Sequence, residues 1–524
     1  MKRITMLFFG AAAMLLSSCD TSLLETAPDD QYVESNFWNT EAAANAALTG
    51  CYTVLHYDGL FGGTATPLWE EGVSPNAYCY SGGTLGFDII GDGQQSASTG
   101  GIISGRWHDC YQGIGRCNTF LANVDLVPDM NETLRERMKA EAHFLRALYY
   151  FELQAYYGGV PIVLDAPDPD AQSDLPRAPR QEVIQQVLAD LAIAEAGLPL
   201  KYNADDMGRA TKGAALALKA RLLLYEASPL FNDANDVSRW QAAAAAAKAV
   251  IDLAPQAGYG LFSDYRGLFL PANENNKEVI FDVQFIFPDE GNSFDLICAQ
   301  YNTNAPLLGL AEAYDMANGL PITDPLSGYD PANAYANRDP RLYATIVYPG
   351  DTYKGRLVKP STYAQTGYAM KKYSIYDTAK PPADKADLKS GQSETNFIVL
   401  RYADILLMYA EALNESDPGN ADILTYLNMV RARVGMPDIA AGQTQAEMRE
   451  TIRHERRVEL AGEALYYNDV RRWKTAEVVM NGPIYTWDHK VIETRNFDPN
   501  RDYWWPLPQG ELDLNSNLEQ NPGY

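Results

Sequence analysis

Apolar residues recur every three or four positions along most of this chain, the spacing that places them on one face of a helix. A first stretch runs from Phe37 to Leu55, where Asn39 and Thr40 supply N-cap side chains. Trp107, Tyr111, Ile114, Asn118 and Leu121 form a second stripe, and Leu134, Met138, Ala142, Leu145 and Tyr149 a third. The third stops at Gly158-Gly159, with Pro161 beyond. Val183, Val187 and Leu191 mark a fourth. Thr211–Glu226 and Arg239–Leu253 are alanine-rich, which lets helices approach closely with no side-chain entropy lost. Ile398–Asn414, Ile423–Val434 and Met448 to roughly Lys474 complete the set. Eight of these nine fall into four pairs, at a spacing near the ~34 residues of tetratricopeptide hairpins. The consensus residues of that repeat are not evident. The expected fold is mostly α: tetratricopeptide-like helical pairs with long loop-rich insertions and minor β.

Two stretches interrupt the pairs. His56 to Arg106 holds 12 of the 39 glycines. Leu261 to about Thr395 contains one strand signal, Val279, Phe281, Val283, Phe285 and Phe287 alternating with Ile280, Asp282, Gln284 and Ile286. The expected organisation is a helical region at 34–260 with insertion 56–106, then a region at 261–524 with insertion 261–395. Long segments of this kind inside a compact domain are functional or disordered. Their tyrosine content favours ordered, functional loops.

The N-terminus reads differently. Lys2 and Arg3 precede a 13-residue apolar run, Ile4 to Leu16, too short to span a bilayer as a helix. Residues 1–18 read as a signal peptide and 19–33 as a polar tether. Leu16-Ser17-Ser18-Cys19 resembles a bacterial lipobox, which predicts lipidation at Cys19 and anchoring by acyl chains. The formal charge of −26 makes nucleic acid a poor partner. Without Cys19, five of the six cysteines remain. Cys110 and Cys117, two turns apart on one predicted helix, stand roughly 10 Å apart, too far for a disulfide. The cysteines read as small buried apolar residues.

The catalytic repertoire is thin. No GxSxG, HExxH or GxxxxGK[ST] occurs. His143 and His454 fall in helical stretches and read as structural. Glu70-Glu71 could supply two carboxylates for glycoside hydrolysis, but adjacent residues rarely face one site, and solvated loop acids are the simpler reading. Asp168, Asp170 and Asp174 have calcium-like intervals, yet Pro169 and the missing loop glycine break the EF-hand pattern. No metal site and no cofactor are expected, and the chain reads as non-enzymatic.

The aromatic residues of the insertions point to ligand binding. The first carries Tyr57, Phe61, Trp69, Tyr78, Tyr80 and Phe87. Asp289 to Tyr376 contains twelve aromatics, eleven of them tyrosine. Flat rings with polar edges match the apolar C–H faces and hydroxyl edges of sugars. Trp69, set among Gly62, Gly63, Pro67 and Gly72, is the expected exposed platform. Tyr78, Tyr80, Tyr301 and Tyr314 are further candidates, with Glu70, Asn76 and Asn302 as hydroxyl partners.

Several long segments are similar to the SusD/RagB family of Bacteroidetes outer-membrane lipoproteins: "FWNTEAAANAALTGCYTVL", "WHDCYQGIGRCNTFLANVD", "EAHFLRALYYFELQAYYGGVPIVL", "GRATKGAALALKARLLLYEASPLFN", "NFIVLRYADILLMYAEALNE", "LNMVRARVGMP", "IRHERRVELAGEALYYNDVRRWK" and the tail "YWWPLPQGELDLNSNLEQNPGY". Ala464-Leu465-Tyr466 departs from the family's usual Gly followed by a charged or aromatic residue. The resemblance implies a lipid-anchored protein at the cell exterior that binds a glycan and passes it to a TonB-dependent outer-membrane transporter. Two other readings stand beside it. A surface glycoside hydrolase needs paired carboxylates in a cleft, and a peptide-binding lipoprotein needs an apolar groove on the helical array. Arg453, Arg456, Arg457, Glu459, Glu463, Asp469 and Arg471 include like-charge pairs at i, i+4 that need partners from other segments or solvent, and read as scaffold ion pairs.

Overall fold

The computed structural model describes residues 37–288 and 290–524. The signal segment, Cys19 and the tether lie outside the described residues.

Nine helices longer than ten residues form the scaffold among the described residues: α1 Glu41–Thr53, α2 Ile102–Asn123, α3 Glu132–Tyr157, α4 Arg180–Gly197, α5 Lys212–Ala227, α6 Val237–Ala257, α7 Tyr402–Ser416, α8 Ala421–Arg433 and α9 Gln445–Leu460. Their starts follow cap chemistry. Thr40 accepts from the Ala43 N–H, Asn131 from Leu134 and Thr211 from Ala214, and Thr444 with Glu447 forms a capping box. α3 ends where Gly158 takes φ +79°. Helices adjacent in the chain pack side by side: α1 on α2, α2 on α3, α3 on α4, α4 on α5, α5 on α6 and α7 on α8. No helix among the described residues is long and apolar enough to cross a membrane.

Two predicted helices change on folding. Ile398–Asn414 divides into a strand, Phe397–Arg401, followed by α7. The strand pairs antiparallel with Val279–Val283, the alternating segment, with Val279 opposite Arg401 and Val283 opposite Phe397. Helix propensity in Phe-Ile-Val-Leu yields to a buried ladder that β-branched residues fill well. The predicted helix from Met448 to about Lys474 breaks after Leu460. Gly462 (φ +81°) and Ala464 (φ +61°) turn the chain into a second helix, Tyr466–Arg472.

One large hydrophobic core runs from Ala44 to Leu507 and includes Leu60, Leu68 and Trp69 of the first insertion. The second insertion adds two smaller clusters, one around Leu310, Tyr314, Leu342 and Tyr368, the other around Tyr353, Tyr363 and Tyr376. The five described cysteines are buried free thiols, as their apolar reading expects.

The charged residues of α9 hold the layers together. Arg401 bonds Glu278, Glu459 and Glu463 at 2.6–2.9 Å, and Glu459 also meets Arg341 and Arg433. Burial alone would raise the Glu459 carboxyl, but the three guanidiniums hold it well below the usual carboxylate range. Arg456 and Arg472 share Asp469, and Lys372 pairs with Glu463. His143 Nδ1 lies 2.7 Å from Asp190, and His454 Nε2 lies 3.4 Å from Asp315. These groups are scaffold, as the sequence reading anticipates.

Candidate functional site

The first insertion folds inward. Thr66–Glu71 is a short helix with all six residues buried. Trp69 is 2% exposed, and its indole N–H donates to Thr303 Oγ1 at 2.8 Å. The expectation of an exposed Trp69 platform is therefore corrected: the glycines around it allow close packing rather than display. Glu70 is buried on Arg106 at 2.9 Å and accepts from the Tyr156 hydroxyl. Glu71 accepts from Asn76 Nδ2 at 2.7 Å, so neither acid is solvated. Asn76 is fully buried, and its Oδ1 accepts from Arg457 Nε at 2.8 Å. Asn302, in the left-handed region, donates from inside to the Tyr368 carbonyl at 2.9 Å. Tyr314 is buried in the second cluster. None of Trp69, Glu70, Asn76, Asn302 or Tyr314 reaches the surface to meet a ligand. Trp69, Glu70 and Asn76 spend their polar atoms on partners inside the fold, because a buried polar group without a partner costs free energy.

Tyr78, Tyr80 and Tyr301 do lie at the surface. The Tyr78 and Tyr80 rings are 6.3 Å apart, the Tyr80 hydroxyl donates to the Tyr301 carbonyl, and Tyr301 is 50% exposed. Residues 365–368 connect this trio to a cavity. Gln365 reaches the Tyr80 hydroxyl. The Thr366 carbonyl accepts from the Trp487 N–H at 2.8 Å. Gly367 takes φ +86° beneath the Trp487 indole, where a Cβ would come within 2.0 Å of Cδ1. Tyr368 lines the cavity beyond.

That cavity has a volume of about 770 Å³ and is walled by Tyr329, Tyr335, Tyr348, Tyr368 and Trp487. Tyr335 and Tyr348 stack with centroids 4.3 Å apart, and Tyr368 stands edge-on to Tyr335. The Tyr335 and Tyr368 hydroxyls share a 2.9 Å hydrogen bond. Burial pushes both phenols up, so both keep their protons. The arrangement offers apolar ring surface and hydroxyl edges in one concave space.

Trp487 was not singled out from sequence. It sits at the tip of a hairpin, Gly482–Tyr485 paired with Val491–Arg495. The hairpin is fixed by Arg495, whose buried guanidinium donates to the carbonyls of Gly72, Val73, Ser74 and Ala77 at 2.8–3.3 Å. Ala77–Tyr78 also pairs with Ala305–Pro306, tying both insertions together. The available signal was a lone tryptophan in a polar turn, Thr486-Trp487-Asp488-His489-Lys490.

The chain matches the family described as "SusD family" over residues 277–524 and the one described as "Starch-binding associating with outer membrane" over residues 86–224. It belongs to the SusD/RagB family. SusD-like protein P2 of Formosa agariphila is 28% identical, with 98% of both chains covered. A solved SusD-like carbohydrate-binding protein of Bacteroides fragilis superposes with TM-score 0.81 at 29% identity, covering 92% of this chain and all of that one. A laminarin-binding SusD-like protein superposes with TM-score 0.70 at 26% identity, covering 93% and 100%. The SusD-like relationship spans helical scaffold and insertions alike.

No group of three or more His, Cys, Asp or Glu residues suited to a metal occurs among the described residues. Asp168 instead caps a short helix, accepting from Asp170 and Ala171.

Proposed function

We propose that this protein is a non-enzymatic glycan-binding lipoprotein of the outer membrane, anchored through Cys19 and facing the exterior. It holds an oligosaccharide in the aromatic cavity and delivers it to a partner TonB-dependent transporter. The observation that carries the reading is the cavity itself: about 770 Å³ of space, four tyrosines and the hairpin-tip Trp487, joined through residues 365–368 to Tyr80 and Tyr301. Support also comes from relatives whose names record carbohydrate or laminarin binding. Isothermal titration of the lipid-free protein with hits from a glycan array tests it, with Trp487→Ala and Tyr348→Ala beside wild type. Glycan binding that survives both substitutions would place the site elsewhere.

The hydrolase reading has less support. The acids at the cavity are Glu312 and Asp488. Lys490 and the Thr486 hydroxyl hold the Asp488 carboxyl below the usual range, the opposite of what a general acid needs. Near Tyr78, burial and the neighbouring Asp92 carboxyl push Glu493 up to about 7. Sustained release of reducing ends by pure protein would favour the hydrolase. The peptide-docking reading has a groove of about 620 Å³ walled by Trp38, Tyr111, Phe120 and Pro167. Phe37 also lines it.

A further inference from the structure

We infer that the cavity takes an uncharged sugar chain and discriminates against chains bearing uronates or sulfates; this deepens, and rests on, the glycan-binding reading above. Anionic sugars are held by cations with free donors, most effectively by a guanidinium presenting two parallel N–H groups. Among the residues lining the cavity the one lysine or arginine is Arg338. Its two terminal nitrogens are already committed, and only the buried Nε is left without a partner. Nη1 donates to the Ala334 carbonyl at 2.7 Å, and Nη2 donates to those of Ala311 (2.7 Å) and Tyr314 (2.5 Å). The residue is 3% exposed, so its guanidinium fixes the 334–338 turn to the end of the 308–313 helix instead of facing a ligand.

The remaining fixed charges work in the same direction. Glu312 is exposed at the wall, and its charge contributes to raising the Tyr335 and Tyr368 phenols, after burial. Asp488 stands on the opposite hairpin tip, and its Oδ2 already holds Lys490 Nζ at 2.8 Å. A carboxylate or sulfate entering here would lose water, find no exposed guanidinium or ammonium and only the His489 imidazole at the hairpin tip, and approach Glu312. A neutral ring meets no such obstacle. Its C–H faces have the indole and phenol rings, and its hydroxyls have the Tyr335–Tyr368 pair, two groups that both donate and accept.

The test is a glycan array of neutral, N-acetylated, uronate-bearing and sulfated oligosaccharides probed with the lipid-free protein. Titration then compares the best neutral hit, its 6-carboxyl oxidation product and the methyl ester of that product. The expected result is hits confined to uncharged chains, at least thirtyfold weaker binding of the oxidised form, and recovery with the ester. Glu312→Gln, an exposed position away from the fold's ion pairs, should narrow the gap between acid and ester severalfold. Hits led by uronates or sulfates, with affinity falling as salt rises, would overturn this inference while leaving glycan binding standing. An acid-to-ester ratio unchanged in Glu312→Gln would overturn its assignment to this cavity. Binding of no glycan at all would overturn the glycan-binding reading itself.

Discussion

The two insertions carry similar aromatic content and bury it to different degrees. Residues 56–106 turn inward: Trp69 is packed in the main core with its N–H on Thr303, and Glu70 is closed on Arg106. Residues 261–395, with the hairpin at 482–495, turn outward and leave Tyr301, Tyr335, Tyr348 and Trp487 at least partly exposed. The first holds the second in place. Its carbonyls at 72–77 accept from Arg495, and its strand at 77–78 pairs with 305–306. An aromatic residue in a glycine-rich loop is therefore no guide to exposure. What matters is whether its polar edge has a partner inside the fold.

The largest effect that could break this contrast is on stability. Trp69→Ala should cost about 3–5 kcal/mol, as for other buried tryptophans, and lower the melting temperature. A variant melting at the wild-type temperature would return Trp69 to the surface. The next concerns Glu152, which lines a small cavity with Glu70 and Arg106 beneath the first insertion. Burial pushes its carboxyl up to about 7, against the pull of Arg106 at 3.9 Å. An acid raised in the folded state contributes stability that is complete below its unfolded value and is lost as pH climbs toward 7. Glu152→Gln should remove that loss. Urea melts between pH 4.5 and 7.5 should show the variant gaining on wild type with rising pH, by up to about 2–3 kcal/mol. A difference flat in pH would show that Glu152 titrates normally.

On the outward side, Trp487→Ala should weaken glycan binding by about 2 kcal/mol, some thirtyfold, while costing under about 1 kcal/mol of stability. Titration with a thermal melt beside it separates the two, and a large drop in melting temperature with unchanged affinity would reverse the roles of Trp487 and Trp69. Gly367→Ala should act in the same direction by displacing the indole, since its Cβ would meet Trp487 Cδ1. The smallest effect is at the rim: Tyr301→Ala, half-exposed, should lose no more than about 1 kcal/mol of affinity. A loss matching that of Trp487 would move the centre of the site toward Tyr80 and Tyr301.

Much of the scaffold was legible along the chain. Helix periodicity, Thr40 as a cap and the Gly158 stop are local signals, and local signals survive folding unless a tertiary contact outweighs them. The strand at 397–401 shows such an outcome, because its partner at 279–283 is over a hundred residues away. The like-charge pairs of α9 were read as needing other segments or solvent: Arg456 and Glu459 find distant partners, while Arg453 pairs with Glu450 on its own helix. The site was legible only as a region. Tyr78, Tyr80 and Tyr301, with Tyr329, Tyr335 and Tyr348 of the second insertion, lie where a ligand could meet them, whereas Trp69, Glu70, Asn76, Asn302 and Tyr314 do not.

The sequence by itself determined the family, the helical scaffold and the presence of two aromatic insertions, because these rest on spacing and on long contiguous motifs. Only the tertiary structure decided which aromatics face solvent. Thr303 lies 234 residues from Trp69, and Arg495 more than 400 from the carbonyls it holds, so exposure depends on partners that no local pattern contains.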